Sequence, residues 1–331
     1  MWYCRSCYGK VKVMKKLRVG VVGVGYLGRF HAEKYARMDD VEFVGVADID
    51  KSQAEDIAGR FNTKAYSHHQ YLFGKVDAVS IVVPTPVHFS IAKDFLENNI
   101  DVLIEKPVAE TTEEADELIS LSKSKNLIIQ VGHLERFNPA VVALQDIIKK
   151  PMFIESHRLS IYKDRCADVS VVLDLMIHDI DIILNFVRSE IVNIHAAGIP
   201  VISGHVDIAN ARLEFKSGCI ANVTASRIST KNERKIRLFQ KDAYISVDFA
   251  NQGITVIQQN DNNEGGLIPG MDIKQLSFAK GDALEDELKS FVKAVIRREA
   301  PEVTGQMGRD ALKIALSIMK QIRDTNSRFL S

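Results

Sequence analysis

Hydrophobic positions change their period along the chain, and the change divides it in two. From Leu17 to Val131, short apolar β-rich runs alternate with stretches of helical spacing, the rhythm of a parallel sheet with crossover helices. The runs Leu17 to Val22, Val41 to Ala47, Asp77 to Val83, Asp101 to Ile104 and Leu127 to Val131 predict strands. Helical patterns lie between them, from Gly28 to Met38, Phe89 to Asn98 and Glu110 to Ser124. A helix over Ala140 to Lys149 and a strand over Phe153 to Tyr162 follow. From Ile191 the period becomes two. Val206 to Phe215 alternates, turns at Lys216-Ser217-Gly218, and runs back as Cys219 to Ile228. Lys235 to Gln240, Ala243 to Asp248 and Ile254 to Gln258 predict further short strands, and helices over Ala283 to Arg298 and Gly308 to Asp324 close the chain. The expected fold class is α/β, with an N-terminal parallel-sheet domain and a C-terminal α+β domain built on a mostly antiparallel sheet. A sheet with few helices on it leaves a face to be covered, and a second subunit is the expected cover.

The stretch Val172 to Phe186 is apolar nearly all round, which predicts a helix buried on most sides. It nevertheless carries Asp174, His178, Asp181 and Asn185, spaced four, three and four. At 3.6 residues per turn these form one polar stripe. A carboxylate four residues before a histidine can hydrogen-bond one ring nitrogen and leave the other as a proton acceptor. An ordinary amphipathic helix also has a wet side, but that side is usually long and charged, rich in Lys and Glu. Short Asp, His and Asn point instead to a lined pocket.

The first strand ends in Gly23-Val24-Gly25-Tyr26-Leu27-Gly28, a G-x-G-x-x-G between a strand and a helix. In that setting the glycines predict a Rossmann dinucleotide-binding turn: Gly23 for the tight bend, Gly25 for close approach of a pyrophosphate, Gly28 for helix–strand packing. Tyr26 and Leu27 sit in the same turn, and the helix N-terminus offers free N–H groups to phosphate. Asp48 ends the second strand, twenty residues after Gly28. A carboxylate there accepts ribose hydroxyls and repels a 2′-phosphate, which favours NAD over NADP.

Pro84-Thr85-Pro86-Val87-His88 forces an extended turn at another strand's C-terminal end, where open α/β sheets bind ligands. Glu105-Lys106-Pro107 ends the next strand, and a lysine there can polarise a substrate oxygen. A surface lysine after a strand is the plainer reading of that residue alone. Gly132 to Pro139 concentrates His133, Glu135, Arg136 and Asn138 between a strand and a helix, as a ligand-facing linker or a domain-interface ion pair would.

The 331 residues suffice for two domains, taken here as 15–132 and 133–331 after an extension over 1–14. Lys plus Arg equals Asp plus Glu, 43 each, so charge gives no reason to expect nucleic acid or a membrane surface as partner. No apolar run reaches membrane-spanning length and no signal peptide is visible, so a cytoplasmic protein is expected. The cysteines are Cys4, Cys7, Cys166 and Cys219. Cys4 and Cys7 form a C-x-x-C with no second pair, so no metal is expected.

With the glycine turn, the Glu-Lys-Pro and the Asp-x-x-x-His in that order, the sequence from about residue 15 to 327 resembles the glucose–fructose oxidoreductase / inositol dehydrogenase (Gfo/Idh/MocA) family. The resemblance implies a Rossmann domain followed by an α/β domain with an open, mostly antiparallel sheet used for oligomerisation, as a homodimer or homotetramer. It implies NAD(P)-dependent oxidation or reduction of one carbinol carbon of a sugar, inositol or related ring. By position it makes Lys106, Asp174 and His178 catalytic. Gly23, Gly25, Tyr26, Leu27, Gly28, Asp48, Pro84, Thr85, Pro86, His88 and Glu105 would bind NAD together with Lys106. The stretches from Gly132 to Pro139 and from Asp174 to Asp181 look most like members that oxidise the 3-hydroxyl of UDP-N-acetylglucosamine for a partner aminotransferase, on the way to 2,3-diamino sugars of lipid A or surface glycans. Where many members have small or aromatic residues after that glycine, this chain has His133, Glu135 and Arg136, which suits a polar substrate. Asn138 and Asp181 join them as expected substrate contacts. Arg136, Arg158 and Arg165 are candidates for a diphosphate, because guanidinium forks match phosphate oxygens.

Overall fold

The computed structural model describes residues 16–162, 169–260, 269–279 and 281–327. The expected extension over 1–14 and the candidate Arg165 lie outside these residues.

The first sheet is parallel throughout. Its strands are β1 (Leu17–Val22), β2 (Val41–Ala47), β3 (Lys64–Tyr66), β4 (Ala78–Ile81), β5 (Asp101–Glu105) and β6 (Ile129–Gly132), in the spatial order β3-β2-β1-β4-β5-β6. The helices α1 (Gly28–Tyr35), α2 (Lys51–Arg60), α3 (His88–Glu97) and α4 (Thr112–Lys125) supply crossovers. Val19, Val21, Val79, Ile81, Val102 and Ile104 are fully buried, as strands covered on both faces require. Strand order reverses between β1 and β4, so the connections leave a crevice at the carboxyl ends of these two strands. Local sequence sets the helix ends: α4 opens on a capping box, with Thr111 accepting from the Glu114 N–H and the Glu114 carboxylate accepting from the Thr111 N–H.

The second half contains α5 (Pro139–Leu144), β7 (Phe153–Leu159), α6 (Ile177–Val187), β8 (Ile191–Ile199), β9 (Ile208–Phe215), β10 (Ile220–Ser226), β11 (Glu233–Gln240), β12 (Ala243–Asp248), β13 (Gly253–Gln259) and β14 (Met271–Ser277). Two helices follow, α7 (Ala283–Arg297) and α8 (Gly305–Asn326). The eight strands form one sheet in the order β14-β13-β12-β11-β7-β10-β9-β8, antiparallel except where β7 runs parallel to β10. One face packs on α5, α6 and α8 through Leu144, Ile180, Ile183, Ala311 and Ile318. The other face alternates half-exposed residues and has no helix over it among the described residues. No described helix is long and apolar enough to cross a membrane.

Two expectations are corrected. The second domain is not a block running from residue 133 to the end. Leu288, Phe291, Val292 and Val295 of α7 join Val19, Val21 and Tyr35 in the core beneath the first sheet. Val131 N–H then donates to Val303 O at 3.0 Å. The pattern of α7 shows an amphipathic helix but carries no mark of which sheet its apolar face will cover. The helix expected over Val172 to Phe186 also begins differently, with a π-helical stretch over Val172–Met176 before α6.

Candidate active site

The glycine turn is shaped by crowding on one side and room on the other. Gly23 has φ +82°, and a Cβ on it would lie 2.4 Å from Val82 O; one on Gly28 would lie 1.9 Å from Gly23 O. Around Gly25 the nearest atom to such a Cβ is Gln53 Nε2, at 3.8 Å. The fold itself therefore tolerates a side chain at Gly25, and its bareness leaves space over the N-terminus of α1. Asp48, just past β2, accepts from Val24 N–H at 2.8 Å and from Asp50 N–H at 2.9 Å, which fixes its carboxylate at the rim. A cleft of about 580 Å³ opens there, lined by Gly23, Gly25, Asp48, Gln53, Pro84 and Val87. Thr85 and Pro86 form the 3-10 turn beside it, and Tyr26 and Leu27 stand exposed on the glycine turn. A bare turn, an N-terminal helix end and a rim carboxylate in one crevice fit a dinucleotide such as NAD. Gln53, whose Nε2 donates to Val24 O at 3.1 Å, lines this cleft and was not singled out by its sequence setting.

Two expected cofactor residues turn elsewhere. His88 is buried, and its ring nitrogens meet Pro107 O at 2.8 Å and Val83 O at 2.7 Å, so it braces the two strand-end turns against each other. Glu105 lies against Gly132, where a Cβ would come 2.9 Å from its carboxyl, and its Oε1 is 3.3 Å from His31 Nε2. Alternation along β5 puts Lys106 on the opposite side.

Lys106 precedes a cis peptide to Pro107 and reaches the π-helical stretch. Its Nζ donates to Asp174 O at 2.7 Å and lies 3.6 Å from Asp174 Oδ1. No hydrogen bond joins Asp174 to His178; the buried Nδ1 of His178 has no partner. This corrects the expected Asp174–His178 pair. Alignment at i and i+4 assumes 3.6 residues per turn, and a π-helical turn is wider. Asp174 consequently serves the lysine instead of the histidine. His133 stands edge-on to His178, ring centroids 6.2 Å apart, with its Nδ1 4.0 Å from Asp181 Oδ2. Burial, reinforced by the positive charges of Lys106 and Arg158, holds His178 well below the usual imidazole range. Burial also lowers His133 against the opposing pull of Asp181. Both rings are neutral at physiological pH, the form able to accept a proton.

The remaining candidates form a closed lattice. Arg136 meets Asp181 through Nε (2.6 Å) and Nη2 (3.0 Å). Arg158 meets Asp179 through Nε (2.8 Å) and Nη2 (3.0 Å), and Glu135 through Nη1 (2.9 Å). Burial alone would raise the Glu135 carboxyl and lower the Arg158 guanidinium, but their mutual attraction, with Asp179, outweighs it in both. Asn138 caps α5, accepting from Ala140 N–H at 3.1 Å. The expected substrate roles of Glu135, Arg136, Asn138, Arg158 and Asp181 are therefore corrected: these side chains tie the segment after β6 to α6 and β7. Partners lie up to 45 residues apart in the chain, so the sequence displays the charges without the pairing. Asp179, beside His178, went unnoticed; two arginines matched by two nearby aspartates were the available signal.

A doubly wound sheet with a dinucleotide crevice, and a lysine and neutral histidine at its mouth, define a nicotinamide-dependent oxidoreductase. The pattern of an oxidoreductase family with an NAD-binding Rossmann fold, Gfo/Idh/MocA, matches residues 17–133, and that of the Gfo/Idh/MocA C-terminal domain matches residues 152–246. The chain belongs to this family, and is an NAD-dependent dehydrogenase acting on a CH–OH group. It is 36% identical to UDP-N-acetylglucosamine 3-dehydrogenase of Acidithiobacillus ferrooxidans over 92% of this chain and 97% of that one. A solved structure of that enzyme superposes with a TM-score of 0.87 over 93% of this chain and 98% of its own. Myo-inositol 2-dehydrogenase of Thermotoga maritima is 24% identical over 94% of this chain and 98% of its own length.

Proposed function

We propose that this dehydrogenase oxidises the 3-hydroxyl of UDP-N-acetylglucosamine to the 3-keto nucleotide sugar, which an aminotransferase then consumes on the way to 2,3-diamino sugars of lipid A or surface glycans. The observation that carries the substrate is the 36% identity to an enzyme of that name, spread over 97% of its length. Bound NAD takes the hydride, with its electron pair, from the carbinol carbon. Lys106 Nζ, held on Asp174 O, donates to the sugar oxygen as negative charge gathers there. His178, neutral and with no partner on Nδ1, accepts the hydroxyl proton. Asp174 acts as a positioning residue for Lys106. Arg136 and Arg158 are taken up by carboxylates, so the diphosphate falls to Arg234, 57% exposed and 3.6 Å from Glu135. The uncovered face of the second sheet, where Phe153, Phe239 and Tyr244 stack at 5.6 and 5.1 Å, is the surface through which copies of the chain associate.

A free polyol such as inositol is the second reading. The charges after Gly132 are paired inward and offer nothing against it. NADH formation with UDP-N-acetylglucosamine, pulled forward by an aminotransferase and glutamate, is the expected result. Activity on inositol with silence on the nucleotide sugar would replace the substrate and keep the chemistry.

A further inference from the structure

Behind Lys106, on the far side of the first sheet, lies a polar cluster that the hydride transfer does not use. Glu287 of α7 is fully buried, and neither of its carboxyl oxygens has a hydrogen-bond partner. His31 of α1, also fully buried, has no hydrogen bond on either ring nitrogen. Gln130 of β6 donates from Nε2 to Glu287 O at 3.0 Å and leaves its own Oε1 unpaired. Glu105, from the end of β5, completes the group through its 3.3 Å approach to His31. Buried polar atoms are seldom left unpaired, and a cluster of them marks a place where a proton or a conformation is held in reserve.

We propose that Glu287 is a positioning residue: through Glu105 it steadies the strand end that carries Lys106, and through His31 the helix that opens at the glycine turn. Glu105 adjoins Lys106 in the chain, and its Oε2 accepts from the Lys106 backbone N–H at 3.3 Å. His31 lies one turn into α1, three residues after Gly28. A single buried side chain thus addresses both the catalytic lysine and the seat of the pyrophosphate. Two neighbouring carboxylates in a dry site cannot both hold a negative charge, so one of them keeps its proton. Burial, then the charge of Glu105, pushes Glu287 well above the ordinary carboxyl range, so Glu287 is the acid. As a neutral acid it has one O–H to give, and the acceptors facing it are the Glu105 carboxylate and the His31 ring.

The groups around Glu287 support that state. From α1, Tyr35 is held as a phenol, hydrogen-bonded to Ser80 at 2.8 Å, while Lys34 is engaged with Asp282. From the segment after β6, Glu135 and Arg136 turn away to Arg158 and Asp181. No described cation pairs with the Glu287 carboxyl.

The test is NADH affinity, read by NADH fluorescence across the neutral to alkaline range, for the wild type and Glu287→Gln. Wild-type affinity is expected to fall as Glu287 ionises against Glu105, by about tenfold for one pKa unit of coupling. Glu287→Gln keeps a donor that cannot ionise; its affinity is expected to match wild type at neutral pH and stay level above it. Parallel profiles in the two proteins would overturn the proposal. So would a level wild-type profile, a measurement that needs no variant to fold. The infrared carbonyl band of a protonated carboxyl should be present in the wild type at neutral pH and missing from Glu287→Gln; its absence from the wild type also overturns the proposal. Cofactor binding is read without any sugar, so these results stand apart from the substrate proposed above.

Discussion

Two sets of charged groups share the stretch from Val172 to Val187, and they are built on opposite plans. Asp179 and Asp181 each receive two hydrogen bonds from an arginine, and Glu135 adds a third carboxylate to the set. Five to seven residues before them, Asp174 touches Lys106 mainly through its backbone oxygen. Between the two sets, His178 keeps a buried nitrogen with no partner. The first set is saturated and holds the linker, α6 and the second sheet in one arrangement. The second is short of partners and can still take a proton or give a hydrogen bond. Charge and burial alone do not separate a structural group from a chemical one; completeness of pairing does.

The comparison breaks first at Arg158. Arg158→Leu removes the partner of two buried carboxylates and is expected to cost about 3–5 kcal/mol of stability, read by urea unfolding. A loss under about 1 kcal/mol would mean that the lattice is loose in solution. Lys106→Ala should act in the opposite sense, lowering kcat about 100- to 1,000-fold while leaving the unfolding midpoint and NADH affinity near wild type. Turnover close to normal would remove Lys106 from the chemistry.

Acid provides the next contrast. His133 and His178 are held neutral by burial, so their folded pKa values lie below those of the unfolded chain. Their contribution to stability is complete above about pH 6.5, the value for a free imidazole, and is lost as the pH falls below it. Each histidine should contribute a slope of about 1.4 kcal/mol per pH unit in that window. His133→Phe should make the fall in stability between neutral and mildly acid pH measurably shallower; an unchanged slope would show the ring to be solvated. The smallest effect belongs to Asp174→Asn. It keeps the backbone oxygen that holds Lys106, so kcat should fall only about threefold, within about 1 kcal/mol. A loss of orders of magnitude would restore an Asp174–His178 pair in the working enzyme.

Much of this was readable before any coordinates. β1 and β2 begin and end where their apolar runs do, and the glycine turn, Asp48 and the 84–87 turn meet in one crevice as their places at strand ends implied. Lys106 arrives beside the helix of Asp174 and His178, 68 residues away in the chain. Other elements went unread for local reasons. α2 is polar over most of its length, β3 has three residues, and β14 is half or more exposed, so none carries a strong apolar period.

Period, glycine spacing and strand-end residues depend on neighbours within a few positions, and the order of amino acids alone settled them: a Rossmann half, an antiparallel half, a dinucleotide site and the identity of the acting lysine and histidine. Partnership across the chain is a different quantity. Whether Arg136 faces a substrate or Asp181, whether α7 covers one sheet or the other, and whether Asp174 serves a histidine or a lysine depend on which surfaces meet after folding. A charged or amphipathic residue is compatible with several partners, and close packing, together with one π-helical stretch, selected among them.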